Sequence, residues 1–191
     1  MINEANSFCP SNRLAWRDWL KQNHEKESAV WLIIYKKGSE LPNLSWSEAV
    51  DEALCYGWID STKRPIDSEK YKQYFTKRKA KSPWSKINKE KVKKLVESGQ
   101  MTEAGLRPIN KAKQDGSWTM ADGAENLEIP SDLEEQLNQN PGSLDFFNSL
   151  SKSARKSMLH WVGFAKRPET RKKRIGEIVK AAAKREKPKN F

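Results

Sequence analysis

The sequence predicts an α+β fold in which a small antiparallel sheet with packed helices is followed by a helical carboxy-terminal lobe. Extended segments lie among helices without a regular βαβ alternation, and four helix-start signals fall between residues 131 and 168. Eight tryptophans, six phenylalanines and four tyrosines can fill a core, because each aromatic side chain buries about 150–250 Å². We therefore expect an α+β domain over residues 1–120 and a helical lobe over 130–191.

The amino-terminal segment begins with helix and strand signals in alternation. Ser11 can cap a first amphipathic helix, and the continuous apolar run over residues 29–35 indicates a strand buried on both faces. Ser45 and Glu48 have the spacing of a capping box and open a second helix. Gly57 is expected to end that helix in the left-handed conformation.

The middle of the chain predicts two further extended segments and a helix. Residues 58–60 begin one segment, and alternation over 71–76 predicts a half-buried strand. The stretch 63–68 contains Pro65 and is predicted to be the connecting turn. Ser85 can then cap a helix that ends before Ser98 and Gly99.

The carboxy-terminal half is predicted to be helical after one irregular segment. Thr102 opens a short helix in which Pro108 requires a break or a kink, because proline has no N–H to donate. Residues 115–129 have little periodicity and predict a loop or link. The helix-start signals beyond it are Ser131–Glu134 (a second capping box), Asn140–Pro141, Ser151 and Pro168.

The residue inventory argues against most catalytic classes. There are two histidines, far apart and without ligand spacing, and two cysteines without a CxxC pattern. The glycine-rich and serine-centred motifs of nucleotide binding and acyl transfer are absent. We expect no catalytic residue, metal or cofactor, and we expect Cys55 to be a buried, inert thiol.

The amino terminus lacks the basic-then-apolar order of a signal peptide, and the longest apolar run has seven residues, far below the ~20 that cross a bilayer. We therefore expect a cytoplasmic protein with no membrane span.

Charge is distributed in four blocks. Residues 1–62 carry a net −3, residues 63–94 carry +10, residues 95–150 carry −7 and residues 151–191 carry +11. The basic blocks would attract nucleic acid or another polyanion if the fold brought them together, and could instead dock on the acidic block if it did not. The sequence leaves both possibilities open.

A composite anion site is the best candidate functional site. Basic and hydroxyl side chains near a helix start can complete a phosphate pocket, because the free N–H groups there attract anions. The alternative, and the more common structure for such a turn, is a solvated basic loop with Trp84 buried as an anchor. The candidate residues are Lys36, Asp60, Lys63, Arg78, Lys81, Ser82, Trp84, Ser85 and Lys86.

The last predicted helix offers a second basic surface. Its apolar positions share one face, and basic residues occupy much of the rest. Such a stripe is usually a solvated face, but it also provides sequence-independent attraction for phosphates. The candidate residues are Arg167, Arg171, Lys172 and Arg174.

Five segments resemble the YdeI/OmpD-associated family, whose usual label is bacteriocin protection. The segments are Tyr35–Ser39, Ala53–Asp60, Phe75–Lys79, Ser82–Asn88 and Ala165–Arg171. Lys77 stands where the family has a proline in its Phe-Thr-Pro-Arg-Lys turn. The resemblance implies an amino-terminal part grouped with YjbR and frataxin-like α+β folds, and it supplies no catalytic residue. Iron binding is not transferred, because the acidic block lies in predicted loop and helical-lobe sequence.

Together these observations favour a non-catalytic, bacteriocin-protection or stress protein that binds an anionic partner, either nucleic acid or a phosphorylated ligand. One alternative is an enzyme acting on a phosphate-bearing small molecule, which would need a pocket containing Asp60 with Arg78 or Lys81. The other is a protein–protein interaction module, which would expose an apolar patch. The oligomeric state is left open.

Overall fold

A computed structural model describes residues 6–188 and confirms the α+β class. The chain forms two compact units. Unit 1 comprises Met1–Ser82 and Ile87–Ser117 and contains a four-stranded sheet with helices; unit 2 comprises Pro83–Lys86 and Trp118–Phe191 and is helical within the described residues.

The elements between residues 6 and 117 are β1 (Ser7–Phe8), α1 (Arg13–Asn23), β2 (Ala29–Tyr35), α2 (Trp46–Cys55), β3 (Trp58–Pro65), β4 (Lys70–Lys77), α3 (Lys86–Glu97) and α4 (Glu103–Gln114). Those that follow, up to residue 188, are α5 (Asp122–Glu125), α6 (Ser131–Asn138), α7 (Ser143–Ser149), α8 (Lys152–Gly163) and α9 (Pro168–Ala183).

The sheet has the order β1-β2-β4-β3. The β2/β4 and β4/β3 pairs are antiparallel, as predicted, whereas the two-residue β1 pairs parallel to β2. β3 extends through Pro65, so the predicted turn over 63–68 is wrong in its first half. The strand can include Pro65 because β3 lies at the edge of the sheet. Proline has no N–H to donate, and one side of an edge strand has no neighbouring strand to receive it.

Helices α1 and α2 cover one face of the sheet. Trp16 is fully buried; its ring centroid lies 5.4 Å from that of Phe75 in β4, and its Nε1 donates to the carbonyl of Ala49 in α2 (3.0 Å). The ring of Trp19 meets that of Trp58 edge-on at 5.9 Å. The side chains of Val30, Leu32, Ile34, Gln73 and Phe75 point to this face, because they lie opposite one another in the ladder.

An ion triad with a buried carboxylate and two partly exposed arginines joins α1 to α2. Arg13 Nε and Arg17 Nη1 each donate to one carboxylate oxygen of Glu52, both at 2.6 Å, and Glu52 is only 3% exposed. Burial acts to lower the pKa values of both arginines, but their hydrogen bonds and Coulomb attraction to Glu52 raise them above the usual value. Two cations on one carboxylate keep its charge compensated inside the protein.

Several predicted helix boundaries are confirmed. Ser45 and Glu48 form the predicted capping box, and Gly57 follows α2 with φ +74°. Thr102 and Ser151 are N-caps whose side chains accept backbone N–H groups, and Pro168 occupies the first turn of α9.

Other predicted boundaries are wrong. Asn12, not Ser11, caps α1. Ser131 already lies inside α6, because the extended Pro130 supplies the carbonyl that accepts from the first turn. α7 begins after Gly142, which has φ +76°, and not after Asn140, where the sequence predicted the helix start.

Within residues 115–129, predicted as a loop, the structure has the short helix α5. α4 also runs through Pro108, so of the predicted break or kink the break does not occur. The helix can continue because proline removes one N–H and leaves the other ladder bonds in place.

The core of unit 2 is formed by the inner faces of α6 to α9. Leu133, Leu137, Phe147, Met158 and Ile178 are among its buried side chains. These residues recur at helical spacing, which is why amphipathic helices without strands suffice to close this core.

Candidate functional site

The fold separates two residues of the predicted composite site. Lys36 lies at the hairpin end of β4, where its Nζ donates to the carbonyls of Asp67 and Ser68, both at 2.9 Å. Arg78 follows the other end of β4, and its backbone N–H donates to Gly57 O at 2.9 Å. Eight strand residues at ~3.3 Å each place them roughly 25 Å apart. They do not line one pocket.

Asp60 and Lys63 make contacts within the sheet and α2. Asp60 Oδ2 accepts hydrogen bonds from Trp46 Nε1 (2.9 Å) and Gln73 Nε2 (3.1 Å), so it ties α2 to β3 and β4. Lys63 Nζ lies 4.0 Å from the centre of the Tyr71 ring. Asp60 therefore accepts from two neutral donors.

The turn after β4 divides between exposed and buried residues. Lys81 is exposed with φ +57°, and Ser82 Oγ donates to Lys79 O at 2.7 Å. Trp84 is only 2% exposed, with its ring centroid 4.9 Å from that of Trp118. Its ring is therefore unavailable to stack on a ligand, as the alternative interpretation of this turn expected. Ser85 is half-buried, and Lys86, the first residue of α3, is exposed.

Arg78 instead lines a cavity of about 310 Å³ within unit 1. Three elements contribute its polar side chains: His24 follows α1, Lys77 and Arg78 end β4, and Arg107 lies on α4. The remaining lining residues are Glu25, Tyr56, Gly57, Trp58, Ala104 and Pro108.

The local sequence explains why α4 reaches this cavity. Thr102 Oγ1 and the Thr102 N–H both donate to Cys55 O, which joins the start of α4 to the end of α2. A Cβ on Gly57 would lie 2.8 Å from Ala104 O and 3.1 Å from Pro108 Cγ. The missing side chain at Gly57 lets α4 approach closely and places Arg107 beside the end of β4.

The electrostatics of this cavity are predominantly positive. Glu25 is its one acidic lining residue; its carboxylate lies 3.4 Å from Arg107 Nη2 and 3.8 Å from His24 Nε2. His24 Nδ1 lies 2.9 Å from Leu20 O, a geometry that assigns the proton to Nδ1. Lys77 Nζ donates to Glu25 O at 2.7 Å. The lining thus holds three permanent cations against one carboxylate.

Arg78 differs electrostatically from Arg13 and Arg17. Burial lowers the pKa of the Arg78 guanidinium to about 10, because removing charge from water disfavours the cation. The guanidinium remains charged at neutral pH. Its planar N–H groups have the donor geometry that oxyanion recognition uses.

The face of the sheet opposite α1 and α2, the second face, forms another cationic surface. Trp31 and Tyr74 lie opposite each other on it, with ring centroids 4.8 Å apart. Arg64 Cζ and Lys72 Nζ lie 5.4 and 4.9 Å from the Trp31 ring centre. Such cation–π contacts bring the positive charges of neighbouring strands together over the aromatic side chains.

In α9, two of the four predicted basic residues make structural contacts. Arg171 binds both carboxylate oxygens of Asp132, at 2.6 and 2.8 Å, and this pairing raises its pKa. Arg174 donates to Trp161 O and lies 5.1 Å from the Trp161 ring centre. Arg167 and Lys172 are exposed.

Cys55 is buried, and burial raises the pKa of its thiol to about 11. Within residues 6–188, no three histidine, cysteine, aspartate or glutamate side chains are placed to hold a metal ion. In the same range, no helix has the length and apolarity needed to cross a membrane.

Comparison with known families gives two matches. Residues 8–108, which include strands β2, β3 and β4 and the residues that line the Arg78 cavity, match the model of a domain of unknown function (DUF8412). The chain belongs to this family. Residues 126–185 match the model described as "Bacteriocin-protection, YdeI or OmpD-Associated", which supports the resemblance in that region and a function of the bacteriocin-protection type. No curated protein and no solved structure matches the chain. The YjbR and frataxin-like grouping of the amino-terminal part stays a prediction.

Proposed function

We propose that this protein acts without catalysis, in a bacteriocin-protection type of function, by binding a phosphate-bearing ligand in the Arg78 cavity. The observation that carries this proposal is the convergence of Lys77, Arg78 and Arg107 on one cavity, with His24 beside them. Arginine presents several N–H donors in a fixed plane that matches phosphate oxygens, and lysine adds a mobile charge.

Two features favour binding over catalysis at this site. His24 Nδ1 is engaged by Leu20 O and its Nε2 faces Glu25, so the ring is oriented within the protein. Asp60, which an enzyme would have needed in the same pocket as Arg78, bonds to Trp46 and Gln73 and does not line this cavity. The proposed role of the cavity is to hold an oxyanion by charge and hydrogen bonds.

The test is a titration with pyrophosphate, followed by calorimetry and by the amide shifts of residues around Gly57. Removing one hydrogen-bonded charge costs about 1.5–3 kcal/mol, so Arg107→Gln is expected to weaken binding by roughly 10- to 150-fold. Arg78→Lys keeps the charge but loses the guanidinium fork and is also expected to weaken it. The matched control is Arg64→Gln, which removes a cation on the second face. Equal effects of Arg107→Gln and Arg64→Gln would contradict a localised site.

The second face favours nucleic acid as a second candidate partner. Its strand residues bring Arg64, Lys70 and Lys72 to one surface, with the half-buried Tyr35 and Tyr74 between them. Trp31 lies beneath Arg64 and Lys72 and is fully buried, so the two tyrosines are the rings available for stacking. Single-stranded nucleic acid binds to surfaces that combine cations with aromatic rings. Affinity for a single-stranded oligonucleotide should fall with salt by about 0.7 decades per decade for each phosphate neutralised. The double variant Arg64→Gln/Lys72→Gln should reduce this slope while Arg107→Gln leaves it unchanged; a salt-independent affinity would contradict the second candidate.

A further inference from the structure

Unit 2 contains a second cavity, of about 240 Å³, that lies outside the proposed phosphate site. Its walls are largely apolar and include Met120, Ile129 and Phe164. Two polar side chains, Glu128 and His160, complete the lining. A volume of 240 Å³ corresponds to about eight water molecules at ~30 Å³ each, which suits a small organic molecule.

His160 is a fixed wall of this cavity. Its Nε2 lies 3.4 Å from Glu125 Oε1, and Lys156 Nζ binds the other oxygen of Glu125 at 2.8 Å. Burial acts to raise the pKa of Glu125, but Lys156 and His160 lower it, so this carboxylate is ionised and already compensated. The His160 ring packs on Phe164 with their centroids 5.0 Å apart. The two rings provide a rigid aromatic corner.

Glu128, an exposed residue at the rim, provides the charge at the same cavity. Its Oε1 accepts a hydrogen bond from the neutral Asn126 amide at 3.1 Å, and no cation within residues 6–188 forms an ion pair with it. Its Oε2 would lie 3.3 Å from a Cβ on Gly123, another lining residue. A carboxylate next to aromatic and aliphatic walls is complementary to a molecule with an ammonium group and an apolar body.

We propose that this cavity binds a small organic amine, with the ammonium group at Glu128 and the apolar body against Phe164 and His160. The site lies in the segment that includes the bacteriocin-protection match. It is separate from the Arg78 cavity in residues, in unit and in the charge of its ligand. Amine binding in this cavity therefore does not depend on phosphate binding in the Arg78 cavity.

The first experiment compares three probes of similar size at pH 7.5: 2-phenylethylamine, 2-phenylethanol and 3-phenylpropanoate. Binding is followed by calorimetry and by amide chemical shifts of α5 and α8. The amine is expected to bind about two- to fivefold more tightly than the alcohol, because only the amine can pair with Glu128 and an ion pair with an exposed carboxylate is partly screened by water. Glu128→Gln should remove most of that difference. Equal affinities for amine and alcohol, or a preference for the acid, would overturn the proposal.

The second experiment fills the cavity. Gly163 lines it, and a Cβ at this position has no neighbour within 4 Å, so Gly163→Val adds bulk at the cavity wall without a clash with the fold. The matched control is Gly176→Val in α9. A Cβ at Gly176 also has open space, but this residue lines a different groove. Gly163→Val is expected to weaken amine binding more than tenfold and Gly176→Val to leave it within about twofold. Wild-type affinity in a folded Gly163→Val protein would overturn the site.

Discussion

Gly105→Ala tests the contact between the end of α2 and the start of α4. A Cβ at Gly105 would lie 2.5 Å from Cys55 O, 2.7 Å from Leu54 O and 2.4 Å from Met101 Sδ. Carbon–oxygen contacts are ordinarily ~3.3 Å or longer, so α4 must move by about 0.8 Å from the backbone of α2. The methionine sulfur can rotate away, but the two carbonyls are fixed by the helix. The strain is therefore borne by the helix pair.

The magnitude follows from three contributions. Overpacking costs about 1–3 kcal/mol. Moving α4 also stretches the bonds that Thr102 makes to Cys55 O, worth about 1 kcal/mol. These costs are offset by about 1 kcal/mol, because alanine has a higher helix propensity than glycine. We expect Gly105→Ala to lower the free energy of unfolding by roughly 1–3 kcal/mol.

Urea unfolding followed by far-ultraviolet circular dichroism measures this change, with two matched glycine controls. Gly176→Ala lies within α9 in open space and is expected to stabilise by about 0.5–1 kcal/mol. Gly38→Ala, also in open space but in the loop after β2, should change stability by less than about 0.5 kcal/mol. A Gly105→Ala protein as stable as the wild type would refute the close approach of α4 to α2.

Three further predictions concern the ionisable residues. Glu52→Gln should lower the free energy of unfolding by about 1.5–3 kcal/mol, because it removes the charge that accepts from two arginines that are themselves partly exposed; an unchanged stability in urea unfolding would contradict this. The hydrogen bond from Arg171 lowers the pKa of Asp132, so its stabilisation is fully present above the unfolded value near 3.8 and is lost as pH falls through the folded pKa. Asp132→Asn should therefore flatten the dependence of stability on pH below about 4, and an unchanged slope would argue against the pairing. At pH 8 a disulfide reagent should modify the exposed Cys9 but not Cys55, whose thiol pKa is raised to about 11 by burial; two equally fast thiols would contradict the buried position.

The sequence predicted the features that depend on neighbouring residues. The apolar run of β2, the capping box at Ser45 and Glu48, and the left-handed Gly57 are correct, because each depends on side-chain and backbone geometry within a few residues. The helical start at Ser151 is correct for the same reason. The α+β class follows from the arrangement of such local elements.

The candidate site could not be placed in the same way, because it depends on strand pairing. The sequence grouped Lys36, at the end of a predicted strand, with Arg78, in the predicted turn before a helix. The antiparallel register puts Lys36 beside the β3–β4 hairpin, while Arg78 lies beyond the opposite end of β4. Arg107, which joins Arg78 at the cavity, comes from a helix whose approach depends on Gly57 and Gly105. Gly57 and Gly105 indicate that Arg107 reaches this cavity only once the packing of α2 against α4 is known.

The same pairing explains why the basic block over residues 63–94 does not form one surface. Successive strand residues point to opposite faces, so Lys63 lies over Tyr71 on the face with α1 and α2, while Arg64 lies over Trp31 on the second face. Lys77 and Arg78 lie at the end of β4 and line the cavity instead. A net charge of +10 in the sequence is thus divided into separate sites with different neighbours. For this reason a phosphate site and a nucleic-acid surface are distinguished by how single substitutions of basic residues change the affinity for each ligand. The net charge of the protein does not distinguish them.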